Sequence, residues 1–403
     1  MNHHRKKNDL SRRSFLKWAG ISTAGLLAAG CQAKATALPA ARKTPTQADE
    51  AAATAVPHTE VEPTAAPAGT QDYTVAIAQA ATYDRTLVQQ KVQELVEGLG
   101  GLSDVVKPGD KVAIKINLTG GSYYQPPAGV TAPESYVTHP EVVLALGKLV
   151  LDAGASMIYI VEGLSDTASY TAWGFEAVAK TLNAQLIDLN FPDPSSDFMT
   201  APVGDNWFIY KNFFLNPILS EVDAFLSISK MKCHYSAGVT HTMKNLIGLT
   251  PVSQYRTSPD HFWRSALHGD DYGPKRLPRV IVDLNQARPV NFSLVDGIKA
   301  AEGGEVPRGS FAPVRPGIMV AGKNAVATDA VTTAIMGFDP TAEYPDAPFL
   351  HGENHLNLAA GLGLGSNRLD DIAIVGPSIE DVRFEFSPST SQGRDHRHRQ
   401  PFT

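Results

Sequence analysis

Between Lys111 and Leu118, apolar and polar positions alternate. Val112, Ile114, Ile116 and Leu118 fall on one face, Lys115 and Asn117 on the other. A period of two predicts a strand. Val142, Leu146, Leu149 and Val150 then recur at helical spacing behind Thr138-His139-Pro140-Glu141, where Thr138 and Glu141 are spaced as a capping box. Gly154 closes this helix and 157–161 is the next strand, so 111–162 reads as a βαβ unit with a right-handed crossover. The same two periods continue along the chain. They predict strands at 73–80, 186–189, 207–215, 224–230, 291–295, 317–322 and 372–375. Helices are predicted at 85–99, 172–182, 277–287 and 325–336, the last capped by Asn324. Strands alternating with helices predict an α/β fold: a mixed, mainly parallel sheet flanked by helices, in one large globular domain over 71–378.

The ends of the chain lack these periods. Ser11-Arg12-Arg13-Ser14-Phe15-Leu16-Lys17, followed by a short apolar run, is a twin-arginine export motif. The run is too short for a membrane span. It closes on Leu27-Ala28-Ala29-Gly30-Cys31, which resembles a lipobox with Cys31 as the lipidated residue. Residues 1–31 are therefore expected to be a signal peptide, and the Ala-, Thr- and Pro-rich stretch 32–70 a disordered tether. Residues 379–403 are expected to be a polar tail. The partners expected from this segment are the twin-arginine export machinery and, through a lipid on Cys31, the outer face of the cytoplasmic membrane.

Candidate chemistry concentrates between Leu226 and Pro251. A strand running into this stretch puts Lys230, Lys232 and His234 on one side near its C-terminal end. Gly238 permits a turn, and Thr240 is placed to cap a short helix ending at Gly248. On that helix His241, Lys244 and Asn245 are spaced to share a face. A strand end feeding a helix is where open α/β sheets bind ligands. Lys230, Lys232 and Lys244 have no carboxylate among them, and buried ammonium groups need one. The missing negative charge is either an Asp or Glu from elsewhere in the fold or a bound anion. Lys115 and Asn117 suit ligand contact at their strand end or, equally, a polar sheet face. His139 sits at a helix mouth, as a ligand contact or as a cap. Glu162, Asp296, Glu302 and Asp329 are the acidic candidates, Asp329 being either paired with a site lysine or exposed. Residues 250–275, with His261 and His268, read as a flap over the site or as a solvated loop.

A net charge of −6 argues against a general nucleic-acid binder. Two cysteines, Cys31 and Cys233, exclude a disulfide framework and an all-cysteine cluster. Cys233 is either a low-pKa thiol beside lysines or a small buried hydrophobe. The glycines from Gly361 to Gly365 follow a helical pattern rather than a strand and read as a helix end, not a nucleotide loop.

Several segments together resemble the bacterial and archaeal family called domain of unknown function 362. They are Lys115 with Asn117, Thr138 with Pro140, the stretch Lys230 to Gly248, the segment Val295 to Gly303 and the helix Ala327 to Gly337. The resemblance covers about residues 73–376. It implies one fold and marks these positions, but it implies no reaction. Some relatives add ferredoxin-like cysteine motifs; this chain has none, so no iron–sulfur cluster is expected.

Two functions fit. In the first, an enzyme acts on an anionic small molecule or uses an anionic cofactor. Lys230, Lys232 and Lys244, with Lys115, Asn117, His139 and Asn245, hold the ligand, and His234, His241 or Glu162 moves protons. A variant makes His234 and His241 metal ligands with one of the carboxylates. In the second, a tethered protein binds the anion without chemistry. An enzyme should place a histidine within hydrogen-bond reach of a carboxylate inside the pocket; a binder needs only the cations.

Overall fold

The computed structural model describes residues 73–391, apart from the side chains of 270–272. The signal, lipobox and tether expected over residues 1–70 lie outside the described residues. The strands are β1 (Tyr73–Gln79), β2 (Lys111–Lys115), β3 (Met157–Glu162), β4 (Gln185–Asp188), β5 (Met199–Pro202) and β6 (Asn212–Leu215), then β7 (Ala224–His234), β8 (Gly238–Thr240), β9 (Phe292–Glu302), β10 (Ala312–Val314), β11 (Ile318–Gly322) and β12 (Ile372–Val375). Among the described residues, ten of these form one sheet in the order β12-β1-β11-β9-β7-β2-β3-β4, with β8 added to β7 and β10 to β9. Strands β5 and β6 make a separate antiparallel ribbon. The run β9-β7-β2-β3-β4 is parallel, whereas β11 is antiparallel to both its neighbours. The expected mixed, mainly parallel sheet is present.

The longer helices are α1 (Arg85–Gly98), α2 (Pro140–Asp152), α3 (Phe175–Leu182), α4 (Arg276–Ala287), α5 (Ala325–Ile335) and α6 (His355–Gly361). All eleven residues of β7 are buried, because both sheet faces are covered. On one face Leu226 and Ile228 share a core with Val88, Val142 and Val178 of α1, α2 and α3. On the other, Phe225 packs with Ile281 and Leu284 of α4 and Leu356 of α6. Farther along the strand, Met231 and Cys233 join Val331 and Ile335 of α5.

Several local expectations are corrected. There is no capping box at Thr138. His139 is the N-cap of α2, its Nδ1 accepting the Glu141 N–H at 3.2 Å, and Glu141 instead pairs with Arg85 at 2.8 Å. Thr138 Oγ1 accepts the Asn117 N–H and donates to Ile228 O, tying β2 to β7. The helix expected at 172–182 breaks at Gly174, whose φ of 82° suits glycine. Only the second half of 207–215 is strand. Before it, the Phe208, Ile209 and Tyr210 N–H groups donate to the buried Asp283 carboxylate, whose pKa burial raises to about 6. The strand expected at 291–295 runs on to Glu302, so Asp296 lies inside it. Past residue 378 the chain still packs: Val382, Phe386 and Ser389 are buried. The Gly361 segment does end a helix, α6.

Candidate anion-binding site

The C-terminal ends of β2 and β7 carry three buried lysines, and the short helix Thr242–Asn245 brings a fourth. They separate into two pairs with different fates. Lys115 Nζ lies 2.7 Å from Glu162 Oε1 and donates to Ile116 O and Asn245 Oδ1. Glu162 also accepts the N–H groups of Leu118 and Gly163. Asn117 shares the Asn245 oxygen at 3.1 Å, and Asn245 donates to Ser227 Oγ. Lys230 Nζ lies 2.7 Å from Asp296 Oδ2 and donates to Tyr83 Oη, Pro133 O and Lys299 O. Asp296 accepts the Tyr83 hydroxyl and the His139 N–H. His139 stacks flat on Tyr83 with centroids 3.6 Å apart, and burial lowers its pKa to about 4. For Lys115 and Lys230 the missing negative charge comes from the fold, and both amines are fully engaged. Glu162, Asp296, Asn117, Asn245 and His139 serve these two pairs rather than standing free as proton carriers or ligand contacts.

Lys230 sits beside an irregularity. Lys230 pairs with Asp296 and Lys232 with Ala301, so the single residue Met231 faces the four residues 297–300 of β9. The slack in β9 supplies the Lys299 carbonyl to Lys230.

Lys232 and Lys244 differ. Lys232 Nζ is fully buried and donates to Tyr136 O at 2.7 Å. Lys244 is 9% exposed, and among the described residues its Nζ makes no hydrogen bond or ion pair. Among the described residues no carboxylate comes within ion-pairing distance of either. Burial, followed by the charge of Lys244, pushes the Lys232 pKa well below its ordinary value. Burial brings Lys244 down to about 8; Glu305 opposes the shift, and the charges of Lys115 and Arg264 reinforce it. Glu305 is half-buried in the loop after Gly304 and acts on both amines from beyond contact distance.

Two histidines complete this part. His234 Nδ1 accepts the N–H groups of Ser236 and Ala237 at 3.1 and 3.3 Å, which puts the proton on Nε2. His268 Nδ1 lies 3.0 Å from the Arg264 carbonyl and must donate to it, which leaves Nε2 a lone-pair acceptor. The rings stand 6.5 Å apart, and among the described residues neither Nε2 has a hydrogen-bond partner. Burial and then the Lys244 charge hold His234 well below its usual pKa; burial lowers His268 to about 4. Arg264 anchors the segment carrying His268 by donating to Thr250 O and Gly163 O. Part of the 250–275 segment thus covers the strand ends.

Other expected site residues lie elsewhere. His241 is fully buried, its Nε2 3.1 Å from Met336 Sδ, and does not share the Lys244 surface, because the helix after it is only one turn long. Thr240 does not cap that turn. Asp329 does, from α5, accepting the Thr242 and Met243 N–H groups at 2.9 and 2.8 Å. It is neither exposed nor paired with a lysine, and burial raises its pKa to about 7. Glu302 accepts the Ser387 N–H, away from the lysines. Burial pushes the Cys233 thiol up to about 12, and its Sγ donates to Ser387 O, so it is a packed residue rather than an activated thiol. Among the described residues no group of three or more His, Cys, Asp or Glu is arranged to hold a metal ion. His268, Arg264 and Glu305 had no distinguishing spacing; His268 entered only as part of the flap.

Residues 112–334 match the family described as Domain of unknown function (DUF362). The chain belongs to this family. The match takes in every lysine above together with Glu162, His234, His268 and Asp296; Tyr83 and α6 fall outside it. The thylakoid-associated protein sll1697 of Synechocystis sp. is 27% identical over 267 residues, covering 66% of this chain and 75% of that protein. Among solved structures, the lactate racemase apoprotein from Thermoanaerobacterium thermosaccharolyticum matches 61% of this chain with a TM-score of 0.33 and 12% identity. A Thermotoga maritima protein matches 71% with a TM-score of 0.30 and 12% identity. The chain covers 54% and 60% of those two solved chains. No helix among the described residues is long and apolar enough to cross a membrane.

Proposed function

We propose that this family member binds an anionic small molecule or anionic cofactor at the ends of β2 and β7, between Lys232, Lys244, His234 and His268. One observation carries this: among the described residues two buried amines lack a carboxylate, while two neighbouring lysines have theirs. A buried cation left unpaired is costly, and a carboxylate or phosphate supplied from solution removes that cost. Among the described residues no histidine ring hydrogen-bonds a carboxylate, which favours binding over general acid–base work by a histidine–carboxylate pair.

Thermal-shift assays at pH 7 with inorganic phosphate, pyruvate and citrate test this. At least one anion should raise the melting temperature, and Lys232→Met with Lys244→Met should abolish the rise. If no anion shifts the wild type, or the double variant shifts equally, the pocket is not an anion site. We also propose that the protein works outside the cytoplasm, held to the membrane through Cys31. Support comes from the arginine pair ahead of an apolar run and from the lipobox-like ending. Cys31→Ser should lose labelled fatty acid and leave the membrane fraction; a variant retained there would overturn the tether.

A further inference from the structure

We propose that Lys244 is a nucleophilic amine that condenses with the carbonyl group of an oxo acid, with Lys232 holding the acid's carboxylate. This rests on the anion-binding reading and names the ligand class. The four lysines are not equivalent. Lys115 and Lys230 are locked as ammonium ions by Glu162 and Asp296, and an ammonium has no lone pair to offer. Lys232 is fully buried and tied to the Tyr136 carbonyl; burial works against its charge, and a carboxylate bound beside it would hold it as the ammonium ion. Among the described residues Lys244 Nζ alone of the four has no acceptor, and Lys244 keeps 9% exposure where the other three keep none. Desolvation first, and then the charges of Lys115 and Arg264, favour its neutral form. Relative to an ordinary lysine at neutral pH, a pKa of about 8 raises the free-amine fraction on the order of a hundredfold.

The histidines offer complementary atoms. The His234 Nε2–H can donate to the carbonyl oxygen, and the His268 Nε2 lone pair can accept a proton from the amine. In the addition, Lys244 Nζ forms a bond to the carbonyl carbon, and the carbonyl oxygen becomes an alkoxide beside the His234 N–H. One amine proton passes through His268 to that oxygen, giving a carbinolamine. The second follows, the C–O bond breaks, and water leaves with both protons. The product is a C=N bond on Lys244, and no oxidant or reductant is consumed.

The full chain is incubated with glyoxylate, pyruvate or buffer, with and without cyanoborohydride, and mapped by peptide mass spectrometry. A reduced adduct is expected at Lys244, forming about tenfold or more faster than on surface lysines. Inorganic phosphate, which has no carbonyl, should slow it. Lys244→Arg should lose the adduct. Labelling confined to surface lysines overturns the proposal. A thermal shift with no Lys244 adduct also overturns it while leaving anion binding standing. Neither shift nor adduct removes both. If Lys244→Arg does not fold, phosphate competition on the wild type decides: adduct formation indifferent to phosphate counts against a pocket reaction.

Discussion

Gly248→Ala adds one methyl group at a closely packed point beneath the site. A Cβ built there stands 2.7 Å from Lys115 Nζ and 2.8 Å from Cε, and closer still to Glu162 Oε1. Ordinary contact begins near 3.5 Å. The backbone cannot retreat easily, because Gly248 O accepts the Gly163 N–H at 2.9 Å. The buried ion pair must therefore give way. Overpacking alone costs about 1–3 kcal/mol. Separating two buried charges raises the cost to roughly 3–5 kcal/mol, since neither side chain reaches solvent to recover hydration. Gly269→Ala is the control: among the described residues its Cβ meets nothing nearer than 3.6 Å, its φ is −51°, and the change should stay within about 0.5 kcal/mol. Urea titration followed by circular dichroism at pH 7 compares the midpoints. A Gly248→Ala midpoint within about 1 kcal/mol of the wild type would refute the reasoning, because the Lys115–Glu162 pair would then not be confined.

Three further outcomes are expected. Lys244 has a folded pKa of about 8 against an ordinary 10.5, so wild-type stability should climb as pH rises through that window; Lys244→Met should lack the climb and melt higher at pH 7 in anion-free buffer, as scanning calorimetry would show. Asp329 has the opposite sign: its folded pKa of about 7 lies above the ordinary 3.8, so its contribution is full below the lower value and is lost as pH rises to the upper. Asp329→Asn should thus be more costly at pH 5 than at pH 8, by on the order of 2–4 kcal/mol in urea titrations; equal costs would contradict the assignment. Cys233, buried with its thiol held near 12, should resist Ellman's reagent in the native protein and react only on unfolding; fast native labelling would contradict the packing.

The sheet was legible because its strands are buried on both faces or alternate cleanly, and the βαβ unit at 111–162 has both periods with glycine after its helix. Capping was less legible, since it depends on partners distant in sequence. Thr240 has the right composition for a cap, yet Asp329, from α5, takes the role. The lysine cluster was visible as unbalanced charge, but spacing along β7 cannot tell Lys230 from Lys232. Asp296 settles that, and it arrives from β9, next to β7 in the sheet and far from it in the chain. His268 was invisible as a partner of His234 because an irregular segment brings it there.

The unequal pairing of β7 and β9, one residue against four, also sets how the molecule tolerates changes in length. Upstream of it, residues 292–296 are held in strict register against β7 and β11, where a one-residue slip would turn every side chain to the wrong face. Residues 297–300 bear no such one-to-one constraint toward β7. A deletion there would leave the upstream ladder in place but shift Ala301, Glu302 and the loop carrying Glu305. A change of length at this point would therefore act twice, moving the buried Ile298 and Ala300 and the Lys299 carbonyl that holds Lys230 along with the loop that carries Glu305.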